Sequence, residues 1–172
     1  MGPLDLVTVM NPITPLSALE WTRDKAKLVR AMRTYEGRND NFIAINGALQ
    51  IDLLGQCGSE SLGSSPYSGT GGQADFVRAA NRSRGGKAII VLPSTARNDT
   101  ISRIVPTLTS GTHVTTSKND ISYVVTEYGV AQLRGKSAKR RAQELIAIAH
   151  PDFRADLAGL RHEAQYTRLF RS

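Results

Sequence analysis

The segment "QADFVRAANRSRGGKAIIVLP" (residues 73–93) decides the fold class of this chain. Its first part, residues 73–84, is typical of a helix that ends at the glycine pair Gly85-Gly86. Its second part, residues 87–93, is a continuous apolar run closed by a proline, as expected for a buried strand of the parallel type. Together with the elements predicted around it, this helix and strand favour an α/β domain with a partly parallel sheet.

The sequence on either side of this segment predicts the remaining elements. Residues 42–56 alternate apolar and polar side chains twice, which indicates two short strands joined as a hairpin at Asn46-Gly47. Residues 57–72 form a long glycine- and serine-rich loop, a length that is usually functional or disordered. Further strands are predicted over residues 103–108, 113–117 and 121–127, and further helices over residues 17–32, 128–135, 137–150 and from Pro151 onward.

The composition is that of a soluble globular protein, with 40% hydrophobic and 22% charged residues. No apolar run approaches the roughly 20 residues of a membrane helix, so we expect no membrane partner. The net charge of +7 favours phosphate-bearing ligands. The basic cluster at residues 134–141 has no interleaved aromatic residues, so we expect no nucleic acid partner and interpret the cluster as a solvated helix face or a steering patch.

The single cysteine, Cys57, excludes an internal disulfide and a cysteine-based zinc site. The three histidines form no metal-ligand spacing, so we expect no metal. The first residues lack the pattern of a secretory signal, and we predict a cytoplasmic location.

The glycine-rich segment "YSGTGGQADF" (residues 67–76) leads into the predicted helix. If that helix begins at Gln73, the N–H groups of Gly71, Gly72 and Gln73 lack intrahelical partners and lie at the positive end of the helix dipole. Such amides can hold a phosphate or the oxyanion of an acyl-transfer intermediate. The spacing matches neither a dinucleotide-binding nor a Walker motif. The pattern alone therefore leaves both a functional loop and a structural turn open.

Two carboxylates lie close to these segments. Asp75, in the first helical turn, compensates the helix dipole, and a general base is the alternative. Glu127 is predicted at a strand-to-helix junction. It either caps the following helix or presents a carboxylate at the carboxyl end of a strand, where α/β sheets bind ligands.

A set of motifs in a fixed order resembles a known family. It is similar to the C-terminal domain of the acetyl-CoA hydrolase/acetyl-CoA transferase family, which includes 4-hydroxybutyrate, acetate and succinate CoA-transferases. The resemblance covers roughly residues 39–160. The motifs are "FIAINGALQIDLLGQ", "ESLG", "YSGTGGQADFVRAA", "GGKAIIVLPSTA", "ISRIVPTL", "YVVTEYGVAQLRGKS" and "LIAIAHPDFR".

The resemblance implies one NagB/RpiA/CoA-transferase-like domain over residues 39–172, with an open, mostly parallel sheet flanked by helices. It implies a ping-pong exchange of CoA between an acyl-CoA and a small carboxylate through an enzyme glutamyl-CoA thioester. CoA is then a substrate, and no tightly bound cofactor is expected. The backbone N–H groups of Gly71 and Gly72 are the expected oxyanion donors, and the expected CoA-binding residues are Gly69, Gly71, Gly72, Gln73 and Lys136.

Other basic residues in or beside the motifs are also able to attract the phosphates of CoA. They are Arg103, Lys118 and Arg134.

Two features depart from the family pattern. The family carries its nucleophilic glutamate upstream of the "AIN" strand, and residues 1–38, where an N-terminal α/β domain would precede this region, show no family resemblance. None of the glutamates of this chain has a matching context; they are Glu20, Glu36, Glu60, Glu127, Glu144 and Glu163.

We therefore expect a subunit or half-enzyme of a CoA-transferase or acyl-CoA hydrolase, with the glutamate supplied by another chain. The alternatives are a CoA-binding or regulatory module without chemistry, a structural or interaction protein, and a thioesterase in which Glu127 or Asp75 activates water. Because half of a two-domain enzyme exposes an apolar face, we also expect a homo-oligomer or a partner chain that carries the N-terminal domain.

Overall fold

The computed structural model describes residues 7–10 and 40–163. The strands of its main sheet are, in spatial order, β1 (Val7–Met10), β2 (Ile43–Gly47), β7 (Lys87–Val91), β11 (Tyr123–Thr126) and β12 (Gly129–Gln132). The first four run parallel, and β12 returns antiparallel to β11. The helices are α1 (Gln73–Arg82), α2 (Ala138–Ala147) and α3 (Pro151–Glu163). The predicted α/β class with a mostly parallel sheet and flanking helices is confirmed.

One face of the main sheet forms the core. Alternate residues of β2, β7 and β11, and Ala131 of β12, point to this face and are buried, as shown by Ala44, Ile90 and Val124. Helix α1 packs on β2 and β7, and α2 packs on β12. The residues on the opposite face of β2, β7 and β11 are mostly half-buried. The sheet therefore has one dry face, which the helices cover.

Helix α1 runs the length of the strands, from the edge of the sheet formed by their carboxyl ends (the carboxyl edge) to the edge formed by their amino ends (the amino edge). Its ten residues rise about 15 Å, close to the length of roughly 16 Å of the five-residue strand β7. At its end, the Ser83 hydroxyl accepts a hydrogen bond from the Phe42 N–H at 3.0 Å, and the Arg84 carbonyl accepts one from the Asn41 N–H at 2.8 Å. These bonds fasten the carboxyl end of α1 to the amino end of β2. The amino end of α1 consequently lies at the carboxyl edge of the sheet.

The predicted hairpin at residues 42–56 is wrong. Asn46 and Gly47 are the last residues of β2, where they align with Ile90 and Val91 of β7 in a parallel pair. A type I′ turn needs positive φ at both central residues, and neither residue has it. The alternating pattern was correctly interpreted as strand, but the partner of that strand is far away in sequence.

Three small sheets lie outside the main sheet, and the first two include the rest of the predicted hairpin and part of the predicted loop. The first joins β3 (Gln50–Asp52), β4 (Cys57–Gly58) and β10 (Ile104–Val105). The second pairs β5 (Ser61–Leu62) with β6 (Ser65–Pro66), and the third pairs β8 (Thr95–Ala96) with β9 (Ile101–Ser102). The strand predicted over residues 113–117 is reduced to an isolated bridge from Thr116 to Cys57. Residues 57–72, predicted as one long loop, thus contain the three short strands β4, β5 and β6.

The short helix predicted over residues 128–135 is also wrong, because this segment contains β12. Val130 is 60% exposed, whereas Ala131 is fully buried. This alternation has the period of a strand that covers one face of the sheet. Gly129 has a φ of +141°, which side chains rarely adopt, at the turn that reverses the chain after β11.

The last two helices occur where they were predicted. Ser137 caps α2 by accepting a hydrogen bond from the Arg140 N–H, and Leu145 of α2 is fully buried. Pro151 begins α3. The helix predicted over residues 17–32 lies outside the described residues. Among the residues that are described, no helix combines the length and hydropathy that a bilayer crossing requires.

Gly86, between α1 and β7, has no room for a side chain. A Cβ at this position would lie 2.1 Å from the Ala80 carbonyl oxygen. We expect Gly86→Ala to lower the free energy of unfolding by about 1–3 kcal/mol, since the backbone must move. Gly159→Ala is the matched control, because its Cβ meets nothing within 4 Å in α3, and alanine favours a helix. Urea unfolding measures both variants and the parent. A Gly86→Ala midpoint equal to that of the parent would contradict the prediction.

Candidate active site

Three polar residues lie at the carboxyl edge of the main sheet. Asn46 is next to last in β2, Ser94 follows β7 by three residues, and Glu127 directly follows β11. Because these strands are parallel neighbours, their carboxyl ends share one edge, where open α/β sheets bind ligands. The amino end of α1 lies at the same edge.

The glycine segment provides unoccupied amides at the start of α1. Gly72 is the N-cap residue and has no side-chain capping bond. The N–H groups of Asp75 and Phe76 donate to the Gly72 carbonyl. The N–H groups of the two preceding residues, Gln73 and Ala74, have no intrahelical partner. Gly71 has a φ of +56°, and a Cβ there would meet nothing within 4 Å. The conformation of the loop, rather than crowding within the chain, therefore requires glycine at this position.

Gln73 ties the glycine segment to the small sheets. Its side chain is buried and donates to Thr116 Oγ1 at 3.0 Å and to Cys57 Sγ at 3.5 Å. Ser59 Oγ lies 3.2 Å from the same sulfur and donates to the Gly47 carbonyl at 3.0 Å. A chain of contacts thus runs from the start of α1 to the end of β2. The Gln73 side chain is therefore bonded inside the protein. The predicted contact of Gln73 with CoA is left to its backbone N–H.

Cys57 is part of this chain of contacts but is not a nucleophile at neutral pH. Burial raises the pKa of its thiol to about 11, although the hydrogen bonds with Ser59 and Gln73 act in the opposite direction. The thiolate is the reactive form, so a neutral buried thiol is inert.

Asn46 is a candidate site residue that the sequence reasoning missed. It is 2% exposed, and neither Oδ1 nor Nδ2 has a hydrogen-bond partner among the described residues. Leaving one buried polar group unpaired costs about 1–3 kcal/mol, so an orphaned amide beside a helix amino end indicates a ligand-binding role. The available signal was a polar residue at a core position of an alternating strand.

Glu127 is held by Ser94. The Ser94 N–H donates to both carboxylate oxygens, at 3.1 and 3.0 Å, and its hydroxyl donates to Oε1. Desolvation of the carboxylate acts to raise the pKa of Glu127, but hydrogen bonds from the Ser94 hydroxyl and amide outweigh it, and the net pKa is lowered. Glu127 does not cap a following helix, because the next element is β12. The other interpretation, a carboxylate at the carboxyl end of a strand, matches its position.

Lys136 is not brought together with the glycine segment. Gln132, the last residue of β12, pairs with Tyr123, the first residue of β11, so the chain leaves β12 at the amino edge. The Lys136 ammonium lies 2.7 Å from a Glu144 carboxylate oxygen. Lys136 is separated from the glycine segment because residues 129–132 form strand β12 and not the predicted helix. This strand carries the chain back to the amino edge.

A cavity of about 220 Å³ also lies at the amino edge. Its lining includes Asn81, Ser122, Tyr123, Gln132 and Arg134. It contains none of the groups that converge at the carboxyl edge, and we therefore place the candidate site at the carboxyl edge.

Asp75 is half-buried in the first turn of α1, where its charge is favourable to the helix dipole. Among residues 40–163, no three His, Cys, Asp or Glu side chains come together as a group that could hold a metal ion.

Comparison with known proteins gives consistent matches. The family model described as the acetyl-CoA hydrolase/transferase C-terminal domain matches residues 24–160. Over 121 residues, 70% of this chain, the sequence is 65% identical to a succinyl-CoA:cyclohexane-1-carboxylate CoA transferase of Geobacter metallireducens. Over 120 residues it is 58% identical to a 4-hydroxybutyrate coenzyme A transferase of Clostridium kluyveri. In each case the match spans 28% of the relative's length.

Solved structures agree with the sequence matches. The crystal structure of RipA from Yersinia pestis superposes with a TM-score of 0.71 and 46% identity, covering 76% of this chain and 29% of RipA. The family match begins at residue 24, upstream of the boundary predicted at residue 39. That boundary stays a prediction.

The Ser94–Glu127 contact predicts a measurable titration. We expect Ser94→Ala to raise the pKa of Glu127 towards its ordinary value, because the two donors that stabilise the carboxylate are disturbed or lost. A lowered pKa stabilises the fold above the unfolded-state pKa, and this stabilisation is lost as the pH falls through the folded-state pKa. The variant should therefore lose it at a higher pH than the parent.

NMR titration of the Glu127 carboxyl carbon measures this shift directly. Ser68→Ala is the control, since its exposed hydroxyl donates only to the neighbouring Gly69 carbonyl in the described structure. An unchanged Glu127 titration in Ser94→Ala would show that Ser94 does not set this pKa.

Proposed function

Because the chain belongs to the acetyl-CoA hydrolase/transferase C-terminal domain family, we propose that it forms one half of an acyl-CoA active site. In this proposal the site moves CoA between an acyl-CoA and a small carboxylate, or hydrolyses acyl-CoA, and another chain supplies the glutamate nucleophile. The chain spans less than a third of the length of the curated relatives named above. In this proposal the glutamate lies in the part that corresponds to sequence those relatives carry outside the matched region.

The observation that carries the proposal is the meeting of two kinds of neutral donor at one edge. The first-turn amides of α1 and the orphaned amide of Asn46 both belong to the carboxyl edge of the sheet. When a carboxylate attacks a thioester carbonyl, the carbonyl oxygen becomes an oxyanion, and this charge needs donors that are already in place. One such donor lowers the barrier by roughly 3–4 kcal/mol.

Gly71 and Gly72 are the residues to which we assign the backbone donors. Gly69 and the Gln73 N–H line the approach to them for CoA. Glu127 is a poor candidate for activating water, because its lowered pKa makes it a weak base. The geometry favours a site for oxyanion binding over independent hydrolysis by this carboxylate.

Exposed apolar side chains support a partner at this edge. Tyr67 is 65% exposed and Val114 49% exposed in the segments that carry and support the glycine loop, Ile101 is exposed in β9, and Tyr128 is exposed in the turn after β11. Apolar groups around a polar centre are typical of an interface. The proposed occupant is a separate polypeptide that carries the N-terminal domain and contributes the nucleophile.

Asn46→Leu separates binding from folding. It replaces two unpaired polar atoms by methyl groups on a side chain with the same number and branching of heavy atoms, so the urea midpoint should be equal or higher. Calorimetric titration should show acetyl-CoA binding to the parent chain and at least about tenfold weaker binding to the variant, equivalent to about 1.4 kcal/mol.

Gln73→Leu is the opposite control, because its buried amide is bonded and its loss should lower the urea midpoint. Equal acetyl-CoA affinity of the parent and Asn46→Leu would remove Asn46 from the site. A parent chain that binds no acetyl-CoA would favour a structural or interaction role.

Complementation tests the origin of the nucleophile. We expect no CoA transfer from acetyl-CoA to 4-hydroxybutyrate by the chain alone, and transfer when the N-terminal remainder of the Clostridium kluyveri relative is added. When 4-hydroxybutyrate is left out, the reaction stops after the first half, and mass spectrometry should then find the CoA thioester on the added polypeptide. A thioester on Glu127 of this chain would contradict the proposal, and binding without transfer in any mixture would favour the alternative, a CoA-binding module without chemistry.

A further inference from the structure

Arg103 fastens two loops at the carboxyl edge. Its N–H donates to the Ser94 carbonyl at 2.8 Å, and its carbonyl accepts from the Ile51 N–H at 2.9 Å. Its guanidinium donates through Nε to the Thr95 carbonyl at 3.1 Å and through Nη1 to the Leu49 carbonyl at 3.3 Å. All four partners are backbone atoms of the two chain segments that follow β2 and β7.

These two segments carry the groups of the candidate site. Leu49 lies three residues after Asn46, and Thr95 directly follows Ser94, which holds Glu127. Strands β2 and β7 are hydrogen-bonded neighbours, but their exits separate into different small sheets. In the described structure, one planar guanidinium spans the gap between them with two donors of fixed relative geometry.

The half-buried Arg103 side chain is therefore committed to the protein. The sequence analysis considered it a possible partner for the phosphates of CoA. Two of its donors instead satisfy backbone carbonyls, and no carboxylate among the described residues forms an ion pair with it. This arrangement indicates a structural connection at the site instead of a ligand contact.

We propose that Arg103 is a positioning residue that sets the separation between the β2 exit, with Asn46, and the β7 exit, with Ser94 and Glu127. The proposal rests on the function proposed above in taking this edge as the active site. A lysine has a single ammonium on a flexible stem and cannot reproduce a planar two-point connection. Loss of the connection should move the Ser94 donors away from Glu127 and loosen both exits while the main sheet remains folded.

The test compares Arg103→Lys and Arg103→Ala with Arg141→Ala. Arg141 is a matched control because its guanidinium also bonds backbone carbonyls, those of Lys136, Leu54 and Lys118, but these contacts do not join the β2 exit to the β7 exit. NMR titration of the Glu127 carboxyl and hydrogen exchange at the Ala48 and Ser94 amides are the readouts. Neither readout requires turnover.

We expect the Glu127 titration midpoint to rise and both amides to exchange at least about tenfold faster in the Arg103 variants. Arg141→Ala should leave the Glu127 midpoint in place even where it lowers the urea midpoint. Parent-like titration and exchange in folded Arg103→Lys would overturn the proposal, as would an equal shift in Arg141→Ala. If Arg103→Ala does not fold, Arg103→Lys alone decides.

Turnover in the complemented mixture adds a separate readout. Arg103→Lys should lower kcat roughly 10- to 100-fold with little change in KM, because misplacement of groups by about 1 Å acts on the transition state. A rise in KM with unchanged kcat would instead identify a CoA contact and overturn the positioning role. If the parent mixture shows no turnover while the titration and exchange shifts occur, the proposed function fails and the structural connection made by Arg103 stands.

Discussion

The parallel pairing of β2, β7 and β11 is the constraint on which the rest of the structure depends. Parallel strands cannot be joined by a tight turn, so the chain must cross the sheet between them. Helix α1 makes one of these crossings, and the bonds of Ser83 and Arg84 to the start of β2 fix its direction. From this arrangement alone, the amino end of α1 and the ends of three strands meet at one edge. The candidate site is a consequence of topology before it is a matter of particular side chains.

The local part of the fold could be predicted from the sequence because its signals are local. The glycine pair after α1, the apolar run of β7, the cap at Ser137 and Pro151 at the start of α3 each act within a few residues. The error at residues 128–135 arises because so short a segment does not separate a strand from a helix by its periodicity, and the error at residues 42–56 has a different origin. An alternating segment states that it is a strand, but not whether its partner is the next segment or one forty residues away, and Asn46-Gly47 happens to have the composition of a turn.

The candidate site was predictable where it depends on backbone geometry and not where it depends on long-range contacts. Glycines before a helix indicate free amides, and α1 begins at Gln73 as expected. No sequence pattern shows that the Gln73 side chain is bonded to Thr116, that Ser94 holds Glu127, or that Asn46 is left without a partner. Lys136 was expected to bind CoA because its charge suits a phosphate and it lies in or beside a family motif, and the sequence does not show that β12 takes the chain to the amino edge.

The distribution of charge explains why neutral donors suit the proposed chemistry. Lys136 and Arg140 are paired with Glu144, and Arg103 and Arg141 are bonded to carbonyls. At the carboxyl edge, where the Arg103 guanidinium bonds backbone carbonyls, the groups assigned to the site are backbone amides, the Asn46 amide and the ionised Glu127. A fixed cation there would bind the substrate carboxylate in the ground state as strongly as the oxyanion, which does not accelerate a reaction. The amide dipoles lie at the same edge as the Glu127 carboxylate, which repels a second bound anion. The same dipoles still stabilise the negative charge that develops on a carbonyl oxygen placed against them.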